Sequence, residues 1–268
     1  MLRPGALGDA VLTLPALQGL RDAGLAPTVV GNPGSWAFLD DAVLDIDWPD
    51  WLPLFGAERP LGRRAAAALD GAEVIAYLPH AIPIPALAID PPHWDEGRPP
   101  HAAERLWRPV ARWLGQADAP PPDVHLAVAP EAVAERLIVL HPGSGGRRKC
   151  WSAERFTALA RMLEADGFAV AVTLGPAEGD LAPFFAGLRL IEGWPLRRIA
   201  ALLAGAAGYV GNDSGVSHLA GRLCPTLALF GPTAPAVWAP LGPRVRTLAM
   251  PASPAQALAA LRALIHSQ

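Results

Sequence analysis

Apolar residues recur along the chain in two alternating patterns. Short apolar runs such as residues 137–140 have the length and composition of buried strands. Longer segments such as residues 102–114, with Leu106, Val110 and Trp113 at helical spacing, predict amphipathic helices. Strands that alternate with helices are typical of parallel sheets, so the sequence predicts the α/β fold class.

The same two patterns predict the remaining elements. Strands are predicted at residues 27–30, 42–46, 72–78, 86–89, 169–174, 188–191, 208–210, 226–230 and 245–248, and helices at residues 11–23, 153–165, 196–204, 216–223 and 254–265.

A proline-rich segment at residues 116–123 separates two such α/β halves. Its three consecutive prolines fit neither a helix interior nor a central strand, and they favour an extended spacer. We therefore predict one Rossmann-like domain at residues 1–118 and a second at residues 119–268. Two such domains predict a cleft between them, because open parallel sheets bind ligands beyond the carboxyl ends of their strands.

The composition is that of a folded protein without a nucleic-acid-binding surface. The 268 residues include 22 basic and 25 acidic ones, and the net charge of −3 lacks the basic excess that nucleic acid requires. Hydrophobic residues make up 51% of the chain, which excludes disorder as its main state. No apolar run has the length of a transmembrane helix, the N-terminus lacks the apolar segment of a signal peptide, and two cysteines fit a reducing compartment.

Lys149 is the single lysine among the 22 basic residues, and it ends a glycine-rich loop at residues 141–149. In a chain that otherwise uses arginine, a lone lysine indicates chemistry that a planar guanidinium cannot do; chance is the alternative. The three glycines of the loop let backbone N–H groups approach an anion, and three cations follow them. Because the loop has neither Walker nor GxGxxG spacing, it predicts a different kind of anion site or a solvated basic turn.

A second candidate anion loop covers residues 211–218, between a predicted strand and a predicted helix. Ser214 or Asp213 can cap this helix, whose N-terminal N–H groups and dipole favour an anion. His218 lies one turn beyond Ser214 on the same side of the helix, which favours a ligand contact over a structural role. Two anion loops in one domain predict a diphosphate ligand.

Asp9 ends a third polar loop, residues 3–9, just before a predicted helix. Its carboxylate can cap that helix or act as a general base, and the loop alone does not decide between the two roles. A base in one domain and two anion loops in the other fit group transfer from a nucleotide-linked donor.

Three motifs together resemble glycosyltransferase family 9, the heptosyltransferases. Residues 141–156 resemble the phosphate loop of that family, and residues 211–220, followed by Pro225 and by Phe-Gly-Pro-Thr at residues 230–233, resemble its donor loop. Leu-Gly-Asp at residues 7–9, with Pro15 downstream, is similar to its N-terminal motif. The three matches follow one another in the family's order over nearly the whole chain.

The resemblance implies the GT-B architecture, in which two Rossmann-like domains face each other across a cleft. It implies inverting transfer of heptose from ADP-heptose, bound by the C-terminal domain, to a lipopolysaccharide inner-core or related saccharide, bound by the N-terminal domain. ADP-heptose is then a substrate, and neither a metal nor another cofactor is expected. The expected partners are this donor and a saccharide or lipid-linked saccharide acceptor. The expected localisation is cytoplasmic, which allows peripheral association with the inner membrane.

The resemblance also assigns roles to individual residues. Asp9 matches the catalytic base, and Lys149 matches a lysine near the donor phosphates. The predicted substrate-binding residues are Ser144 and Gly145 in the phosphate loop, Glu178 at the ribose, and Asp213, Ser214, Gly215 and His218 in the diphosphate and sugar loop. Because only Met1 and Leu2 precede Arg3, we expect a first strand that is truncated or begins upstream of this sequence.

Other interpretations compete with this one. An NAD-dependent oxidoreductase would use the same sheets, but GxGxxG followed by an acidic residue about 20 residues later does not occur. A non-catalytic nucleotide-sugar-binding module, or a GT-B transferase with another donor or acceptor, also fits.

The DxD triplet at residues 45–47 matches a metal motif of another transferase fold, yet its place after an apolar run predicts a strand terminus. His80, His93 and His101 lack metal-site spacing and are expected in loops or caps.

Overall fold

The computed structural model describes residues 1–40, 42–56, 60–78, 80, 82–92 and 99–266. They form two compact units. The first contains the described residues up to 92 and residues 100–124, and the second contains Pro99 and residues 125–266. The predicted boundary after residue 118 falls inside the proline-rich segment, and this segment belongs to the first unit. The Trp107 indole N–H donates a 2.9 Å hydrogen bond to the carbonyl of Ala119, which attaches the segment to the first unit.

The first unit contains a five-stranded parallel sheet with strand order β3-β2-β1-β4-β5. Its elements are β1 (Leu2–Arg3), α1 (Leu7–Asp22), β2 (Val29–Gly31), α2 (Pro33–Trp36), β3 (Val43–Asp45), a 3-10 helix (Pro49–Phe55), α3 (Arg63–Leu69), β4 (Ile75–Tyr77), β5 (Leu87–Ile89) and α4 (Ala102–Trp113). The predicted strands of this half are confirmed. Helices α2 and α3 were not predicted, because such short segments carry little apolar periodicity.

β1 lies at the centre of this sheet although it has only two residues. Leu2 pairs with Val30 of β2 on one side and with Ala76 of β4 on the other. Leu2 and Arg3 are both buried. The central strand that was expected to be truncated is therefore a two-residue strand.

Helices α1 and α4 pack tightly against each other. A Cβ atom at Gly19 of α1 would overlap the ring of Trp107 of α4, so glycine is what allows this close approach. Leu106 and Val110 are buried as the helical periodicity predicts. Trp113, which was predicted on the same face, is 39% exposed because it is the last residue of the helix.

The second unit contains a six-stranded parallel sheet with strand order β11-β10-β9-β6-β7-β8. Its elements are β6 (Leu137–His141), a 3-10 turn (Arg147–Lys149), α5 (Ala153–Ala165), β7 (Ala169–Leu174), a 3-10 helix (Gly179–Phe185), β8 (Arg189–Glu192), α6 (Leu196–Gly205), β9 (Gly208–Asn212), α7 (Gly215–Leu223), β10 (Thr226–Phe230), α8 (Pro235–Trp238), β11 (Val245–Ala249) and α9 (Pro254–His266). Every strand and helix predicted for this half is confirmed. Apolar side chains of β6, β7, β9 and β10 pack with those of α5 and α9 into one core.

Both sheets have the strand order of a Rossmann fold, which confirms the predicted α/β class with two Rossmann-like domains, as in the GT-B class. In each sheet the order reverses between two neighbouring strands, β1 and β4 in the first and β6 and β9 in the second. Open parallel sheets bind ligands at the carboxyl ends of the strands that flank such a reversal. The three loops selected from the sequence follow β1, β6 and β9, so the topology places each of them at such an edge.

The remaining sequence expectations concern residues away from these loops. Asp45 ends β3 and its carboxylate accepts a 3.0 Å hydrogen bond from the Asp47 N–H, so the DxD triplet is a strand terminus as predicted. His101 caps α4 through a 3.2 Å hydrogen bond from the Ala103 N–H to its Nδ1. His80 lies edge-on to the ring of Phe55. His93 lies outside the described residues. Within the described ranges, no helix is both long enough and apolar enough to cross a membrane.

Candidate active site

The candidate site of the second unit lies where the loops after β6 and β9 meet. Asn212, the last residue of β9, joins the two loops although sequence reasoning did not select it. Its side-chain amide donates a 2.7 Å hydrogen bond to the Pro142 carbonyl and accepts a 2.8 Å hydrogen bond from the Trp151 N–H. The Ser144 hydroxyl donates a 2.6 Å hydrogen bond to the Asp213 carbonyl. These bonds hold the glycine-rich loop after β6 against the loop after β9.

Lys149 and Asp213 form an ion pair at this junction. The Lys149 ammonium is 2.8 Å from Oδ2 of Asp213, and the Thr233 hydroxyl donates a 2.7 Å hydrogen bond to the same oxygen. The Asp213 side chain is only 6% exposed, whereas that of Lys149 is 25% exposed. An ammonium has three N–H donors, so Lys149 can bond Asp213 and still offer a donor to a ligand. Asp213 therefore positions Lys149. Thr233, which lies three residues after the end of β10, supports the Asp213 carboxylate.

Ser214 is the residue that caps α7. Its hydroxyl accepts a 3.3 Å hydrogen bond from the Ser217 N–H, and Gly215 begins the helix. Of the two caps that the sequence allowed, the structure thus selects Ser214, while Asp213 binds Lys149. The N-terminus of this nine-residue helix contributes a partial positive charge beside that pair. His218 is buried in the first turns of the helix, and its predicted contact with a ligand stays a prediction.

A cavity of about 540 Å³ opens beside the phosphate loop. It is lined by the predicted residues Ser144, Gly145 and Glu178, together with Arg147 and Cys150. Burial raises the pKa of the Cys150 thiol, which keeps this side chain neutral. Ser144, Gly145 and Glu178 therefore share one cavity. The other predicted site residues of this unit are not among the residues that line it, namely Lys149, Asp213, Ser214, Gly215 and His218.

The Glu178 carboxylate is held between two glycines. Its Oε2 accepts a 2.6 Å hydrogen bond from the Gly175 N–H. A Cβ atom at Gly143 would lie 2.5 Å from this carboxyl group, and one at Gly175 would lie 2.6 Å from it. A side chain at either position would therefore require the Glu178 carboxylate to move away.

A smaller cavity of about 220 Å³, which sequence reasoning did not find, lies beside the carboxyl ends of β6 and β7. His141 and Trp194 line it, and the guanidinium of Arg198 stacks 3.5 Å from the centre of the Trp194 ring system. Burial lowers the pKa of His141, so the ring is neutral near pH 7. His141 Nδ1 is 3.0 Å from the Thr173 carbonyl, and since a carbonyl only accepts, Nδ1 carries the proton and Nε2 is left as an acceptor.

Asp9 belongs to the first unit and lies in the first turn of α1. The helix begins at Leu7, earlier than predicted, because Oδ2 of Asp9 accepts a 3.0 Å hydrogen bond from the N–H of Ala6, the N-cap residue. Oδ1 accepts a 2.9 Å hydrogen bond from the guanidinium of Arg3, and the Asp9 side chain is still 41% exposed. Asp9 thus stabilises the helix start and keeps an accessible carboxylate, so the two roles weighed from the sequence are compatible.

Known proteins are similar to this chain in sequence and in fold. Residues 116–263 match the sequence profile of glycosyltransferase family 9 (heptosyltransferase). Over 118 residues the chain is 30% identical to lipopolysaccharide heptosyltransferase 3 of Escherichia coli K12, a match that covers 40% of this chain and 34% of that protein. The chain thus spans about a third of the length of this curated relative.

Two solved structures resemble the chain over nearly its whole length. A family 9 glycosyltransferase from Veillonella parvula DSM 2008 has a TM-score of 0.80 and 18% identity, and the match covers 100% of this chain and 97% of that one. The E. coli heptosyltransferase WaaC with ADP-2-deoxy-2-fluoro heptose has a TM-score of 0.71 and 21% identity, with 98% and 97% covered. These likenesses show a shared fold. Because the family profile spans more than half of the residues, the chain belongs to glycosyltransferase family 9.

Proposed function

We propose that the protein transfers a heptose from ADP-heptose to a lipopolysaccharide inner-core or related saccharide acceptor, with inversion at the anomeric carbon. The observation that carries this proposal is the Lys149–Asp213 pair, which lies beside a glycine-rich loop at the ligand edge of a Rossmann-like sheet. Membership of a heptosyltransferase family supports the sugar. The WaaC structure with an ADP-heptose analogue supports the nucleotide.

The donor diphosphate is assigned to the loops after β6 and β9. Backbone N–H groups of the glycine-rich loop, the Lys149 ammonium and the N-terminus of α7 supply three independent sources of positive potential. Arg147 and Arg148 add charge from the same turn as Lys149. Together these groups can neutralise a diphosphate leaving group as the glycosidic bond to it breaks.

The nucleoside is assigned to the two cavities. Glu178 lines the larger one with a carboxylate that accepts hydrogen bonds, which suits the hydroxyls of a ribose. The smaller cavity is lined by the aromatic side chain of Trp194 and by a neutral His141 whose Nε2 is an acceptor, which suits an adenine ring with an exocyclic amine. Gly175 links them, since it lines the smaller cavity and donates to Glu178.

Asp9 is assigned as the general base of the transfer. An acceptor hydroxyl attacks the anomeric carbon on the face opposite the diphosphate, and its proton passes to the Asp9 carboxylate as the new C–O bond forms. The bond between the anomeric carbon and the phosphate oxygen breaks, and ADP leaves with the electron pair. One displacement of this kind inverts the anomeric centre and produces glycoside, ADP and a proton.

The donor is tested by thermal shift with ADP-heptose, UDP-, GDP- and CMP-sugars, and NAD. We expect ADP-heptose to stabilise the protein most; a ligand at 100 times its Kd adds about 2.7 kcal/mol to the free energy of unfolding. ADP release and the anomeric configuration of the product, read by NMR, then test transfer. If another nucleotide sugar stabilises the protein most, ADP-heptose is not the donor. Stabilisation by NAD would favour an oxidoreductase. Donor binding without turnover would indicate a non-catalytic module.

Transfer is expected to proceed without a metal. Lys149 and the α7 N-terminus supply the charge that a divalent ion would otherwise bring to the diphosphate. In the part of the chain that the structure describes, no three His, Cys, Asp or Glu side chains are grouped as metal ligands would be. The rate in excess EDTA should equal the rate with added Mg²⁺ or Mn²⁺. A rate that EDTA abolishes and either metal restores would overturn this expectation.

The proposed acceptor comes from a relative of the chain. The name of the E. coli relative supports a lipopolysaccharide acceptor. The cytoplasmic localisation and the peripheral membrane association stay predictions.

A further inference from the structure

Arg3 is a buried cation at the carboxyl end of β1. Its side chain is 5% exposed, and the centre of the Tyr77 ring is 5.6 Å from its guanidinium carbon. Desolvating a guanidinium is costly unless a negative partner and hydrogen-bond acceptors replace the water. Three acceptors do so: Asp9 Oδ1 at 2.9 Å, Thr13 Oγ1 at 2.9 Å and the Pro4 carbonyl at 3.5 Å.

These bonds form a closed arrangement around Asp9. The Thr13 hydroxyl accepts from Nε of Arg3 and donates a 2.7 Å hydrogen bond to the Asp9 carbonyl. Nη2 of Arg3 binds the Asp9 side chain at the same time. The guanidinium is planar and rigid, so it fixes the angle between its two bonds in a way that a single ammonium cannot.

The Asp9 carboxylate is consequently held at both oxygens. Arg3 binds Oδ1 and the Ala6 N–H binds Oδ2, while two fifths of the side chain stays exposed. The Ala6 bond is common at helix starts and needs no arginine. The Arg3 bond is the one that ties the carboxylate to the central strand of the sheet, which pairs with a neighbouring strand on each side.

We propose that Arg3 is a positioning residue, which holds the Asp9 carboxylate in the orientation from which it takes the proton of the acceptor hydroxyl; this rests on the proposed function of Asp9 as the base. Arg3 itself makes no contact with substrate in this role. Misplacing a catalytic group by about 1 Å can cost about 10²-fold in rate. Loss of Arg3 should therefore lower kcat and leave the affinity for the donor unchanged.

The test compares Arg3→Met, Arg3→Lys and Arg3→Met/Asp9→Asn. We expect kcat to fall about 10–10²-fold in Arg3→Met with an unchanged KM for the donor, and to recover in part in Arg3→Lys, which restores one donor. In the double variant, kcat should equal that of Asp9→Asn alone, because Arg3 acts only through Asp9. A crystal structure of Arg3→Met should show the Asp9 carboxylate in a different orientation.

Arg108→Met is the matched control, since it removes an exposed Arg–carboxylate pair with Glu104 in the same unit and should leave kcat unchanged. Arg3→Gln, whose amide can still bond Thr13, replaces Arg3→Met if that variant does not fold. An unmoved carboxylate in the crystal, or additive losses in the double variant, would overturn the positioning role. Full activity of Asp9→Asn, or no transfer by the wild type, would instead refute the proposed function, and the crystal structure would still decide whether Arg3 orients Asp9.

Discussion

Asp9→Asn is expected to lower the rate of sugar transfer by about two or more orders of magnitude. A positioned general base contributes about 10²–10⁴-fold, and the amide of asparagine cannot accept the proton of the acceptor hydroxyl. The measurement is kcat for ADP release at saturating donor and acceptor. The thermal shift caused by the donor should stay at its wild-type value, because the donor loops belong to the second unit.

Asparagine caps helices about as well as aspartate, which from the sequence alone predicts an intact fold for this variant. The structure changes that expectation, because Asp9→Asn removes the negative partner of the buried Arg3. We expect the free energy of unfolding to fall, because the asparagine oxygen can still accept from Arg3 but no longer supplies the negative charge that compensates its burial. Asp22→Asn is the matched control, since Asp22 is an exposed residue in the last turn of α1 that accepts a hydrogen bond from the Gln18 side chain. Folded Asp9→Asn protein with near wild-type turnover would show that the base lies elsewhere.

Lys149→Ala is expected to weaken donor binding by about 1.5–3 kcal/mol, which corresponds to roughly 10–150-fold in Kd. The ammonium is held 2.8 Å from Asp213 and retains donors for a phosphate oxygen. Calorimetric titration with ADP and with the sugar nucleotide measures the loss. Unchanged Kd and unchanged turnover would remove Lys149 from the diphosphate site.

Two further variants separate this effect from a loss of folding. Lys149→Ala leaves the buried Asp213 carboxylate without its cation, so the variant should also unfold at a lower temperature. Adding Asp213→Asn removes that unpaired charge and should restore stability but not donor affinity. Arg148→Ala removes an exposed cation from the same turn and should change the Kd much less, because solvent screens exposed charges.

The position of the candidate site could be predicted from the sequence because it depends on local signals and one topological rule. Glycine-rich loops that follow apolar runs mark the carboxyl ends of strands, and such ends share one edge of a parallel sheet. Lys149 then stood out among the 22 basic residues because it is the single lysine. The same local signals explain why the second half of the fold was predicted more completely than the first, where several elements are three or four residues long.

The partners of the selected residues could not be predicted in this way. Lys149 and Asp213 are 64 residues apart, and Asn212 and Pro142 are 70 apart, so no spacing along the chain indicates that they touch. Thr233 follows β10, and its bond to Asp213 depends on how β10 lies beside β9. Arg3 is six residues from Asp9, but only the sheet shows that its side chain is buried.

The two glycines around Glu178 bear on inhibition of the enzyme. Any side chain at Gly143 or Gly175 would bring its Cβ atom within 2.5–2.6 Å of the Glu178 carboxyl group. A compound that fills the cavity beside Gly143 would therefore contact a wall that gains a side chain only if the Glu178 carboxylate turns away. Drug resistance through substitution at either glycine would first have to displace Glu178, and with it the carboxylate assigned to the ribose.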